Sequence, residues 1–120
     1  VLQAVFEAQP APAEEMERLL EAARARRKLS QPVGASAGCI FKNPPEIPAG
    51  RLIDELGLKG ACVGDACVSD VHANFIINRG HARARDITIL IDMIRKEAME
   101  NRGIDLKSEA QVIGDRDPQF

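Results

Sequence analysis

Apolar residues recur along this chain with two different periods, and those periods divide it into elements. Residues 1–7 alternate loosely and are rich in Val, Leu and Phe, which predicts a strand closed by Pro10 and Pro12. Met16, Leu19, Leu20 and Ala23 then fall at i, i+3, i+4 and i+7, the stripe of an amphipathic helix. Pro12, Glu14 and Glu15 suit its start, and Arg24, Arg26, Arg27 and Lys28 suit its negative end. Residues 49–56 predict a short helix with Leu52, Ile53 and Leu56 on one side and Gly57 as its stop. Residues 58–70, broken by Gly60 and Gly64, predict short strands and turns, and residues 74–78 a strand ended by Arg79-Gly80. The clearest stripe is Ile87, Leu90, Ile91, Ile94 and Ala98, a helix with Asp86 as its N-cap and Asn101-Arg102-Gly103 as its end. Residues 104–113 predict a last strand and residues 114–120 a tail. Helices and strands mix without regular alternation, so the class is α+β.

Composition narrows the picture. With 120 residues, 45% hydrophobic and 28% charged, the chain has the size and balance of one globular domain. A net charge of -2 and an aromatic complement of four Phe, without Trp or Tyr, argue against nucleic-acid binding. No apolar run approaches the ~18 residues of a membrane span, and nothing at the start resembles a signal peptide. The chain begins Val-Leu-Gln without a Met and reads as a fragment. Three cysteines, an odd number, argue against a disulfide framework and for a reducing, cytoplasmic setting, with small buried thiols as the default. Cys62, Cys67 and His72 are evenly spaced, but zinc sites begin with a tighter pair and need a fourth ligand, which only Cys39 or Asp65 could supply; no metal is expected. The basic cluster ending the first helix reads as a solvated terminus rather than a phosphate site.

The densest chemistry lies in residues 36–44, Ser36-Ala37-Gly38-Cys39-Ile40-Phe41-Lys42-Asn43-Pro44. Gly38 permits a turn or a close approach, and Pro44 holds Asn43 extended, so a short strand enters a fixed loop. A hydroxyl, a thiol, an ammonium and a carboxamide are packed there. A polar loop bonding its own backbone is the plain alternative.

This run resembles the Ser-Ala-Gly-Ser-x-Phe-Lys-Asn-Pro signature of the UDP-N-acetylenolpyruvoylglucosamine reductase family, with Cys39 where most of that family has serine. The resemblance continues through His72-Ala73-Asn74-Phe75-Ile76-Ile77-Asn78 and Leu106-Lys107-Ser108-Glu109-Ala110. It implies two or three helices packed on a mostly antiparallel sheet. Residues 10–113 would be a C-terminal substrate-binding domain, and residues 1–9 a strand at the end of, or just after, an FAD-binding domain that this chain lacks. It implies FAD held mainly by that other domain, NADPH as reductant, a UDP-sugar substrate and the rest of the same polypeptide as partner. The implied product, UDP-N-acetylmuramate, serves bacterial peptidoglycan synthesis. Hydride would reach C3 of the enolpyruvyl group, leaving charge to be stabilised and a proton to be delivered at C2.

On that resemblance Cys39 takes the place of the proton-donating serine and Glu109 that of the catalytic glutamate. A free thiol, with a pKa near ~8.5, keeps most of its proton at neutral pH. Lys42, Asn43 and Asn74 would grip the charged substrate and line one pocket with Cys39, with His72 as a further contact and Ser36 bracing the loop. Alone, the chain should not turn over, and Glu109 should be exposed. The competing reading is a non-catalytic α+β regulatory or oligomerisation module, which would leave Cys39 and Glu109 unrelated in space. A thiol redox protein would need a Cys-x-x-Cys, which is absent.

Overall fold

The computed structural model describes residues 2–114. Its elements are α1 (Ala13–Ser30), β1 (Ala35–Cys39), α2 (Ala49–Glu55), β2 (Cys62–Val63), β3 (Ala66–Val68), β4 (Phe75–Asn78) and α3 (Ala84–Arg102). The strands form one sheet in the order β1-β4-β3-β2, every neighbouring pair antiparallel. Three helices with one antiparallel sheet make the α+β architecture expected.

The stripe of α3 is what closes the core. Leu90, Ile91, Ile94 and Ala98 are buried, and α3 lies against β2, β3 and α2. Ile40, Phe41, Val68 and Ile76 meet it from the sheet side, Leu52 and Ile53 from α2, and Leu106 from the segment after α3. Each such side chain contributes about 1.5–3 kcal/mol by leaving water. Arg102 at the end of α3 reaches Glu55 of α2 at 3.1 Å. Helix α3 begins earlier than the Asp86 cap predicts, because Asp86 sits inside the first turn and accepts the Arg83 N–H at 2.9 Å. Gly103, in the left-handed region with φ 66°, ends the helix as expected.

Two sequence expectations come out differently. Residues 2–9 form no strand and are exposed, since no other described strand lies alongside to complete a ladder. Residues 104–113 form a single bridge, Phe41 with Ser108, in place of a strand. The Ile104 N–H donates back to the Ala98 carbonyl of α3, Lys107, Glu109 and Ala110 bond to residues 40–42, and residues 111–114 are exposed. Of the tail expected at residues 114–120, all but Gly114 lies outside the described residues.

The cysteines differ as well. Cys62 and Cys67 are joined in a disulfide, and Cys39 is the free thiol. The parity of the cysteine count hid a local cause. Val63 pairs with Ala66 around the two-residue turn Gly64-Asp65, so Cys62 and Cys67 become direct cross-strand partners with Cα atoms 4.1 Å apart. Gly64, at φ 54°, supplies the left-handed residue such a turn needs.

Candidate functional site

The site is built where β1 leaves its partner. Ala35 pairs with Asn78 and Ser36 with Ile77, but Cys39 pairs with Phe75, so β1 holds one residue more than β4. Gly38 adopts φ 82° within that bulge. A bulge re-aims the side chain that follows it, and Cys39 emerges exposed at the strand end. The Ile40 N–H then donates to the Asn74 carbonyl at 2.9 Å. Both polar groups of the Phe41 backbone are taken by the Asn74 side chain. The Phe41 N–H donates to Oδ1 at 2.9 Å, and Nδ2 donates to the Phe41 carbonyl at 2.8 Å. On the opposite side the Glu109 N–H donates to the Ile40 carbonyl at 2.7 Å, and the Lys42 N–H to the Lys107 carbonyl at 2.9 Å.

That second row of bonds brings Glu109 to Cys39 across 70 positions of sequence. Partial burial, and then the negative charge of Glu109, push the Cys39 thiol pKa above its ordinary value. The thiol therefore holds its proton at neutral pH more firmly than a free cysteine. Glu109 itself is exposed, as expected.

Beside Cys39 opens a cleft of about 300 Å³, bordered by Asn43, His72 and Asn74 and by Gly50, Arg51, Asp54 and Lys59 on and after α2. Asn43 accepts the Ala49 N–H through Oδ1 at 3.0 Å, which fixes the proline-rich loop and leaves its Nδ2 as a donor. His72 accepts the Asn74 N–H at Nδ1, 3.2 Å away, and packs edge-on to Phe75 with ring centroids 5.0 Å apart. With Nδ1 an acceptor, the neutral ring carries its proton on Nε2. Arg51 pairs with Glu55 at 2.8 Å and Lys59 with Asp54 at 2.7 Å, both on the surface, where such pairs exchange partners at little cost.

The structure thus places Cys39, Asn43, His72 and Asn74 around one cleft, with Glu109 near enough for its charge to act on the thiol. Lys42 is exposed and outside the cleft, because neighbours on an extended chain face opposite ways and Asn43 faces in. Ser36 is exposed on β1 before the bulge, away from the cleft. Asn74 is 3% exposed and its carboxamide is engaged by Phe41. Sequence reasoning passed over Gly50, Arg51 and Lys59. A glycine in the first turn of a short helix was the available signal, since glycine costs helix stability unless something needs the space. A Cβ at position 50 would lie 2.8 Å from His72 Cε1.

Residues 27–113 match the family described as UDP-N-acetylenolpyruvoylglucosamine reductase, C-terminal domain. The chain is similar to the UDP-N-acetylenolpyruvoylglucosamine reductase of Syntrophobacter fumaroxidans, 50% identical over 99 residues that make up 82% of this chain and 29% of the relative. With the reductase of Geotalea uraniireducens it shares 45% identity over 115 residues, 95% of this chain and 38% of the relative. The crystal structure of UDP-N-acetylenolpyruvylglucosamine reductase from Thermus caldophilus superposes with a TM-score of 0.69 at 47% identity, covering 86% of this chain and 36% of that one. The chain spans about a third of the length of the relatives it matches. The matched span takes in the bulged strand, the cleft and the Glu109 segment together, and the chain belongs to the UDP-N-acetylenolpyruvoylglucosamine reductase C-terminal domain family.

Proposed function

We propose that this chain is the substrate-binding and proton-donating part of an oxidoreductase. The whole enzyme would reduce UDP-N-acetylglucosamine enolpyruvate to UDP-N-acetylmuramate for bacterial peptidoglycan in the cytoplasm. The observation that carries the reading is that the backbone bond from Glu109 to Ile40 brings its charge to act on Cys39, which lines the cleft; a non-catalytic module would not require this. Among the described residues no helix is long and apolar enough to cross a membrane.

The described residues do not fit a flavin or nicotinamide dinucleotide. Gly57, Gly60 and Gly64 follow α2 instead of opening a helix, and about 300 Å³ is the lower end of small-molecule sites. FAD and NADPH belong, in this reading, to the rest of the polypeptide. Reduction of a carbon–carbon double bond needs a hydride at one carbon and a proton at the other, and only the proton concerns this chain. Cys39, protonated at neutral pH, delivers it to C2. Glu109, the counterpart of the family's catalytic glutamate, is assigned to the charge that develops on the substrate. Asn43 Nδ2 and His72 Nε2 offer donors inside the cleft. Arg51 and Lys59 supply positive charge at its rim for a diphosphate. Lys42, without an ion pair among the described residues, is a further cation for parts of the ligand outside the cleft.

The test uses the complete polypeptide and follows its two half-reactions separately. Cys39→Ala leaves the NADPH-driven half unchanged and slows reduction of the enolpyruvyl substrate by the ~10²–10⁴-fold typical of a lost general acid. Cys39→Ser restores most of the rate. Equal slowing of both halves refutes the assignment.

A further inference from the structure

We infer that Asn74 is the positioning residue of the Cys39–Glu109 pair: its buried carboxamide replaces a missing rung of the sheet and so fixes how the thiol and the carboxylate are placed relative to each other. The inference rests on assigning proton delivery to that pair.

Strand β4 begins at Phe75, so the backbone after Cys39 runs past the end of its neighbour. Phe41 is 1% exposed, and its N–H and C=O would be costly to leave unpaired away from water. A carboxamide carries the same donor and acceptor as a peptide group. Asn74 therefore exchanges two hydrogen bonds with Phe41 as a residue on an opposing strand would. Aspartate lacks the donor, and glutamine is one carbon too long for the same place. The effect reaches the site through Ile40. Its N–H is held by the Asn74 carbonyl, its C=O holds the Glu109 N–H, and Cys39 immediately precedes it. The Asn74 N–H also sets the His72 ring through Nδ1. One residue whose carboxamide is engaged by Phe41 thus orients three groups assigned to the substrate.

The charge of Glu109 acts on the Cys39 thiol, so the pair can be read without substrate. Arg51, Asp54, Lys59 and His72 line the same cleft, with Arg51 engaged by Glu55 and Lys59 by Asp54. In the complete polypeptide, the rate of Cys39 alkylation by iodoacetamide is followed against pH by peptide-resolved mass spectrometry. Glu109→Gln moves the profile to lower pH. In an Asn74→Ala background the same substitution moves it no further, because the two groups are no longer held together. An equal shift in both backgrounds overturns the inference. Should Asn74→Ala fail to fold, hydrogen exchange of the unaltered protein decides: the Phe41 and Glu109 amides open together, whereas Glu109 exchanging more than about tenfold faster than Phe41 at the same intrinsic rate overturns it. If coupling vanishes in Asn74→Ala while Cys39→Ala keeps full turnover, the clamp stands and the proton-donor assignment falls.

Discussion

Helices α1 and α3 are 18 and 19 residues long, and both carry an apolar stripe, yet they use it in opposite ways. α3 buries its stripe completely at Leu90 and Ala98, whereas Met16, Leu19 and Leu20 of α1 remain 56%, 57% and 50% exposed. Composition explains how each survives. α1 is built almost wholly from Ala, Glu, Leu, Met, Arg and Lys, the strongest helix formers, with acids in its first turn and bases in its last. α3 is loaded with Ile87, Thr88, Ile89, Ile91 and Ile94, whose β-branches lower helix propensity and repay it only against a packed surface. A stripe in a sequence predicts a helix in both cases. It predicts burial only where another element is present to receive it.

The contrast can be broken by mutation. Leu90→Ala should lower unfolding free energy by about 2–5 kcal/mol in a denaturant titration, the range for deleting a buried leucine side chain. Reducing the Cys62–Cys67 bond should cost about 2 kcal/mol, by the loop-closure estimate for so short a ring. It should raise amide exchange in α3, which covers that hairpin, and leave α1 unchanged. Leu19→Ala should change stability by no more than about 0.5 kcal/mol. A loss comparable to that of Leu90→Ala would mean that α1 is packed after all. The smallest effect is a matter of pH. Cys39 has a raised pKa in the folded state, so its contribution to stability is fully present below the ordinary thiol pKa and is lost as pH rises through the folded one. Comparing wild type with Cys39→Ser from neutral to alkaline pH should show wild type losing the more stability.

Much of this was legible from residue order. The α3 stripe, the short α2 helix and the Asn74–Asn78 region were readable because their periodicity coincides with what is buried. Cys39 and Glu109 were found through the resemblance, and nothing in their spacing could have joined them, since the bonds between residues 107–110 and 40–42 are purely tertiary. Asn74 was read as a ligand contact because an asparagine offers the same donor and acceptor to a substrate as to a peptide. In this fold the Phe41 backbone, lying past the end of β4, engages that donor and acceptor. The disulfide was missed by counting cysteines instead of folding the two-residue turn between them.

Gly50 has a consequence for any inhibitor aimed at the cleft. Most of the wall around a small molecule is made of side chains, and a target can escape by exchanging one of them for a bulkier neighbour. At position 50 the wall is bare backbone, and the first carbon added there collides with the imidazole of His72. Enlarging that residue displaces the same ring whose Nδ1 is tied to Asn74, so the escape damages the site it is meant to protect. A compound that presses against the Gly50 backbone therefore leans on the part of the cleft where resistance has the least room to arise.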